Sequence, residues 1–307
     1  MPLFSVANDL HSTSNMTRPL SDLEQARLGS PGTPDTQLVI QLAQRTLDEL
    51  AMEPPISHEI VASMRDIIKI EDGDIPWAGC LAPGPAGLHM TLRSRDCQGK
   101  KRFTAFHEVK HTFLPGFSVY IQYRCDPATP PDASSLRDPS IEMLCDIGAA
   151  ELLFPRNAFL SDLSGNARTM QLVEDLAARY DASLEATGRH VVALHPEPTM
   201  LVSLEPACKP SQPHAEPVLR VQWAQANGRL PFVPKHKSVP DDSPLSRALQ
   251  GEVVDEITSW GVLTGTDTGP IQVNAGLYPY TDDRGEQHMR VLALIAPARQ
   301  PGKSNGQ

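Results

Sequence analysis

Phe103-Thr-Ala-Phe-His107-Glu108-Val-Lys-His111-Thr-Phe113 constrains this chain more than any other stretch. It holds neither proline nor glycine. On an α-helix, residues four apart share a face with side-chain roots about 6 Å apart, so His107 and His111 can present ring nitrogens to one ion. Glu108 flanks the first histidine, where its carboxylate can take a proton from an attacking water without filling a coordination position. Phe103, Ala105, Phe106, Val109 and Phe113 give the segment apolar flanks, which predicts a helix buried on both sides. The blander reading, two surface histidines beside a solvated glutamate, leaves those flanks unexplained.

A zinc ion needs a third protein ligand. Beyond His111 comes Ile141-Glu142-Met-Leu-Cys145-Asp146-Ile-Gly148-Ala-Ala-Glu151-Leu-Leu-Phe-Pro155. Pro139 suits a first helical turn, Pro155 closes the segment, and Ile141, Leu144, Cys145, Gly148, Ala149 and Leu152 recur at three and four, which predicts a helix. Glu142 and Asp146 then share a face one turn apart. Glu142 is the candidate third ligand, and Asp146 can accept the outer N–H of a ligand histidine and fix its tautomer. Taken alone, Glu142 reads as a first-turn acid favoured by the helix dipole; beside the histidine pair the ligand role is stronger.

Arg102-Phe-Thr-Ala-Phe-His-Glu-Val-Lys-His, followed by Glu142-Met-Leu-Cys-Asp-Ile-Gly-Ala-Ala-Glu-Leu-Leu-Phe-Pro, resembles the ImmA/IrrE family of metallopeptidases, whose members carry an R-F-T-x-x-H-E-x-x-H helix and an E-x-x-x-N/D-x-x-A-A-x-L-L-x-P helix. The resemblance implies a zincin-like catalytic domain with His107, His111 and Glu142 on the metal and Glu108 as base. It implies Zn2+ as the ion, with Mn2+ the alternative. Lys110 departs from the small residue usual in the family, and the loop between the two motif helices is long; neither departure touches a ligand.

Composition sets the class. Of 307 residues 40% are hydrophobic, with a mean hydropathy of -0.28, enough for a real core and two domains. No run nears the eighteen apolar residues of a membrane span, and the start lacks the basic and apolar regions of a secretion signal. Five cysteines, at 80, 97, 125, 145 and 208, form no C-x-x-C pair, which predicts a reducing, cytoplasmic setting. A net charge of -10 leaves no electrostatic footprint for nucleic acid.

Residues 1–35 are rich in Ser, Thr, Pro, Gly and Asn and read as a disordered tail. Residues 36–165 are expected to form the catalytic domain. Leu38, Ile40, Leu42, Ala43, Leu47 and Leu50 make a helix face, and Ile60, Val61 and Met64 mark a short second helix. Ile67–Ile70 and Trp77–Leu81 read as strands joined by the acidic turn at Glu71–Asp74, and Gly87–Ser94 as an alternating strand that either pairs with an extended substrate or lies inside the sheet. His89 on that strand is read as partly buried and not a ligand. Pro115–Asp138 is a long loop tied to both motif helices, a candidate lid in which Tyr120, Tyr123 or Arg124 can steady an oxyanion.

Residues 166–196 form a helix-turn-helix-like module: Met170–Tyr180, a turn at Asp181–Ser183, and Leu184–Leu194. The second helix offers Arg189 and His190 against Glu185, too little for gripping phosphates, so the pair reads as a packing or protein-docking module and direct DNA binding is not expected. A weak strand at Met200–Leu204 leads into prolines 206, 210, 213 and 217, which mark 197–217 as a linker. Residues 218–298 mix strands with a helix from Pro244 to Leu249, a small α/β sensor-type domain with no cofactor motif; the resemblance makes it GAF-like. Residues 299–307 are a polar tail.

The expected fold class is therefore α+β, and the expected function a cytoplasmic zinc-dependent endopeptidase. The resemblance further implies a protein substrate, a helix-turn-helix transcriptional repressor cut in a stress or mobile-element response. The rival expectation is a DNA-binding or antitoxin-like regulatory protein in which the metal is structural and nothing is turned over. Oligomeric state has no signature in the sequence.

Overall fold

The computed structural model describes residues 19–115, 117, 139–282 and 284–298. They form a mixed α+β molecule with ten helices and three sheets among the described residues. The proposed lid residues Tyr120, Tyr123 and Arg124 lie outside this set.

The first corrections concern the predicted tail. Residues 22–29 are a helix, α1 (Asp22–Gly29), opened by a reciprocal capping box between Ser21 and Glu24. Its Leu23 is fully buried, and the Leu23 amide donates to the Phe113 carbonyl just past the motif helix. One buried leucine in eight residues leaves no periodic apolar face, so the Ser-x-x-Glu cap was the available signal. Helix α2 (Asp35–Leu50) buries Leu38, Val39, Leu42 and Ala43, and α3 (His58–Ser63) follows the cis Pro54-Pro55 bond.

Three strands, β1 (Ile67–Gly73), β2 (Gly79–Gly84) and β3 (Gly87–Arg93), make a sheet of order β1-β3-β2. Successive strands β1 and β2 are thus not neighbours: β1 runs parallel to β3, and β2 pairs with it antiparallel through a tight turn. Glu71–Gly73 belong to β1 and are not part of a turn. Strand β3 is interior, hydrogen-bonded on both sides, so it cannot receive a peptide. Among the described residues, β2 is the outer strand on the side of the sheet next to the motif helix.

The motif helix α4 (Gln98–His111) lies under this sheet and against α5 (Pro139–Leu153). Where α4 and α5 cross, Gly148 lets Lys110 through: a Cβ at 148 would overlap Lys110 Cε and lie 2.9 Å from Val39 Cγ1 of α2. Helix α6 (Arg156–Leu163) leads to α7 (Met170–Tyr180), capped by Thr169, and α8 (Leu184–Leu194), capped by Ser183. In the turn between them Asp181 reaches back to Arg102 Nε of α4 at 3.3 Å, while Arg102 NH2 donates to the Ile56 carbonyl at 2.7 Å. The helix pair therefore braces the motif helix.

The expected linker contains a strand that belongs to the second sheet. β4 (Met200–Ala207) sits inside a five-stranded sheet of order β5-β4-β10-β7-β6, with β5 (Val218–Ala226), β6 (Val254–Ser259), β7 (Pro270–Leu277) and β10 (Val291–Pro297). Helix α9 (Pro244–Leu249), the short α10 (Gly261–Thr264) and a hairpin of β8 (Tyr280–Thr281) with β9 (Gln287–His288) complete it. The period of two splits the central strands between two cores. Leu201, Leu292 and Leu294 join the N-terminal core beside Val173, Leu176 and Val192, whereas Met200, Val202, Val291, Ala293 and Ile295 pack on the other face with Leu245 and Ala248 of α9. The weak strand read at Met200–Leu204 forms the first five residues of β4, all buried, and the strand runs on through Pro206 to Ala207.

Candidate metal centre

Helix geometry brings the two histidines of α4 onto one face, with ring centroids 4.9 Å apart. From α5 comes Glu142, one turn from the start, and the crossing of the two helices places its carboxylate at the same point. His107 Nε2 lies 3.2 Å from His111 Nε2 and 3.1 Å from Glu142 Oε2, and His111 Nε2 lies 3.8 Å from Glu142 Oε1. Tetrahedral zinc with bonds of about 2.0–2.1 Å places its ligand atoms roughly 3.3 Å apart. Two of the separations are within about 0.2 Å of that and the third is about half an ångström longer, a spacing at which two imidazoles and a carboxylate can be drawn onto one divalent ion.

The outer ring nitrogens are held by consecutive residues of α5. His107 Nδ1 lies 2.8 Å from Asp146 Oδ1, the partner expected for it. His111 Nδ1 lies 3.4 Å from Cys145 Sγ. Cys145 reads in sequence as one more apolar core position, which it is, being fully buried. The signal for its second role is positional: 142, 145 and 146 are i, i+3 and i+4 on one helix and share a face. His107, His111 and Cys145 also lie close enough together to form an alternative ligand set. The sulfur, however, faces His111 Nδ1, while Nε2 of the same ring faces His107 and Glu142.

Electrostatics follow from burial and the surrounding acids. Burial alone would lower the His107 pKa, but hydrogen bonds to Asp146 and Glu142 and the nearby charge of Glu108 outweigh it and lift the group to about 9. Burial, with Glu142, Glu108 and Asp146 adding to it, pushes the Cys145 thiol well up, which keeps it protonated. Glu108 is itself buried, 4% exposed. Gly79 of β2 makes room for it: a Cβ there would stand 3.2 Å from Glu108 Cγ and 2.6 Å from Thr104 Cγ2. His89 lies on β3 against the β2–β3 turn, where its ring occupies the space over Gly84.

Two other features are separate from this centre. A cleft of about 680 Å3 runs between the α6–α7 connection and β10, lined by Arg168, His195, Asp255 and Gln272 among others, and includes none of His107, Glu108, His111 or Glu142. Asp282, Glu286 and His288 cluster at the β8–β9 hairpin, where Asp282 Oδ1 accepts the amides of Arg284 and Glu286 and so shapes the turn.

No protein-family model and no curated protein matches the sequence. Among solved structures, a Mycobacterium tuberculosis transcriptional regulator is similar, with a TM-score of 0.52 and 12% identity over 84% of this chain and 76% of that one. Likeness at that identity establishes a shared fold. Among the described residues no helix is long and apolar enough to cross a membrane.

Proposed function

We propose that this protein is a zinc-dependent endopeptidase with a zincin-like catalytic unit, His107, His111 and Glu142 being the ligands. The observation that carries the reading is the convergence of those three side chains to separations of 3.1–3.8 Å beside a buried glutamate. A divalent ion held by His107, His111 and Glu142 would supply Lewis acidity, polarising a peptide carbonyl and lowering the pKa of a water toward neutrality. Glu108 takes the proton of the attacking water and passes it to the departing amine. Asp146 fixes His107 with its Nε2 lone pair turned inward. An extended substrate peptide runs alongside β2, which lies next to α4.

The substrate in this reading is a helix-turn-helix repressor, and the C-terminal sheet domain, GAF-like in the same reading, grips it or senses a signal. A regulatory role agrees with the structural likeness to a transcriptional regulator. Direct DNA reading by the α7–α8 pair is disfavoured by packing. Thr187, Gly188, Val191 and Val192 of α8 are buried, and its Arg189 stacks 3.7 Å over Trp223 of β5 and donates to Gln225 at 2.9 Å. The test is Glu108→Gln. It should keep one zinc per chain and lose cleavage of a helix-turn-helix repressor substrate by about a hundredfold or more; undiminished cleavage removes Glu108 from the chemistry, and a gel shift that survives metal stripping favours the DNA-binding alternative.

A further inference from the structure

We infer that Cys145 is a positioning residue for His111, holding that imidazole by its outer nitrogen as Asp146 holds His107, and is not itself a metal ligand. The inference rests on the metal-centre reading above. Two observations carry it. First, the sulfur stands 3.4 Å from His111 Nδ1 and not on the side of the ring where His107 Nε2 and Glu142 lie. A histidine that turns its Nε2 lone pair toward an ion carries its proton on Nδ1, and a sulfur at this distance can accept that N–H.

Second, the arrangement is paired. Consecutive residues 145 and 146 of α5 meet the Nδ1 atoms of two histidines four apart on α4, so a single helix crossing sets both tautomers and delivers Glu142 as well. Cys145 is fully buried between the helices, so solvent does not compete for the ring nitrogen it faces. The two histidines are thus met by chemically different partners, a sulfur at His111 and a carboxylate at His107.

The experiment uses the full chain loaded with Co2+ in place of Zn2+, read by absorption and by chelator competition. Loaded wild-type protein should show the visible bands of cobalt in a nitrogen and oxygen environment without the near-ultraviolet sulfur-to-cobalt band. Cys145→Ala should bind about tenfold or more weakly, Cys145→Ser should recover most of that loss because its hydroxyl can still accept, and metal-free melting of both variants should stay near wild type. A sulfur-to-cobalt band that vanishes in Cys145→Ala makes Cys145 a ligand and overturns the inference while leaving the metal centre intact. Unchanged affinity in Cys145→Ala overturns it too. Failure of wild-type protein to bind cobalt or zinc at all overturns the metal centre, and the inference with it.

Discussion

His190 of α8 is partly buried against aromatic rings, stacked on Phe154 at 4.6 Å and edge-on to Phe159 at 4.7 Å, and its pKa falls to about 4 because desolvation, reinforced by Arg156, opposes the charged form. The folded pKa lies below the unfolded value near 6.5, so the contribution to stability is complete above pH 6.5 and is lost as pH falls through about 4. The loss amounts to about 3 kcal/mol. Chemical denaturation from pH 7 to 4 should show it, and His190→Phe should flatten that slope; an equal slope in the variant would clear His190. Lys110 is the other costly burial. Its Nζ sits 4.0 Å over the Phe113 ring with no hydrogen-bond partner among the described residues, and burial lowers its pKa to about 7. Lys110→Met should therefore stabilise the protein by about 1–2 kcal/mol in urea titration, and destabilisation would mean that the ammonium has a compensating role. Much of the site is legible at this scale. His107, Glu108 and His111 announce themselves by spacing, Glu142 and Asp146 by their place on the next amphipathic helix. Cys145 does not, because a cysteine on an apolar face looks the same whether or not a ring nitrogen lies against it.

Helix crossings turn those residues into a site. The α4–α5 contact depends on Gly148, since a methyl group there would overlap Lys110 Cε and press on Val39. Gly148→Ala should cost about 1–3 kcal/mol and weaken metal binding by tilting Glu142. In a Lys110→Ala background the cost should shrink by more than half, a coupling that a double-mutant cycle measures; additive effects would place the strain elsewhere. The helices were readable because period and caps are local: Met170–Tyr180 and Leu184–Leu194 match their apolar spacing and their Thr169 and Ser183 caps residue for residue. Sheet order was not, because the β1–β3 pairing skips a strand and so leaves no local trace in the residues that make it. For the same reason β3, which alternates like an edge strand, turned out to be the interior one.

Across the whole molecule, the N-terminal core and the C-terminal sheet share side chains. Leu201, Leu292 and Leu294 are buried among the residues of α7 and α8, Met170 N donates to Asn274 Oδ1 at 2.6 Å, and Glu185 bridges Arg189 and Arg290. The proline-rich segment 197–217 suggested separable domains, yet the chain has already entered the second sheet at Met200, ahead of prolines 206, 210, 213 and 217. Calorimetry of the full chain should give one cooperative transition, and two resolved transitions would contradict the shared core. The measurement that bears most directly on the metal centre is equilibrium zinc binding, by chelator competition, of the wild-type protein and Glu142→Ala. Two imidazoles and one carboxylate converging on a single ion predict one zinc per wild-type chain, and affinity about a hundredfold or more lower in the variant, with metal-free melting unchanged. Equal affinity in the two proteins would contradict the claim that α5 supplies the third ligand.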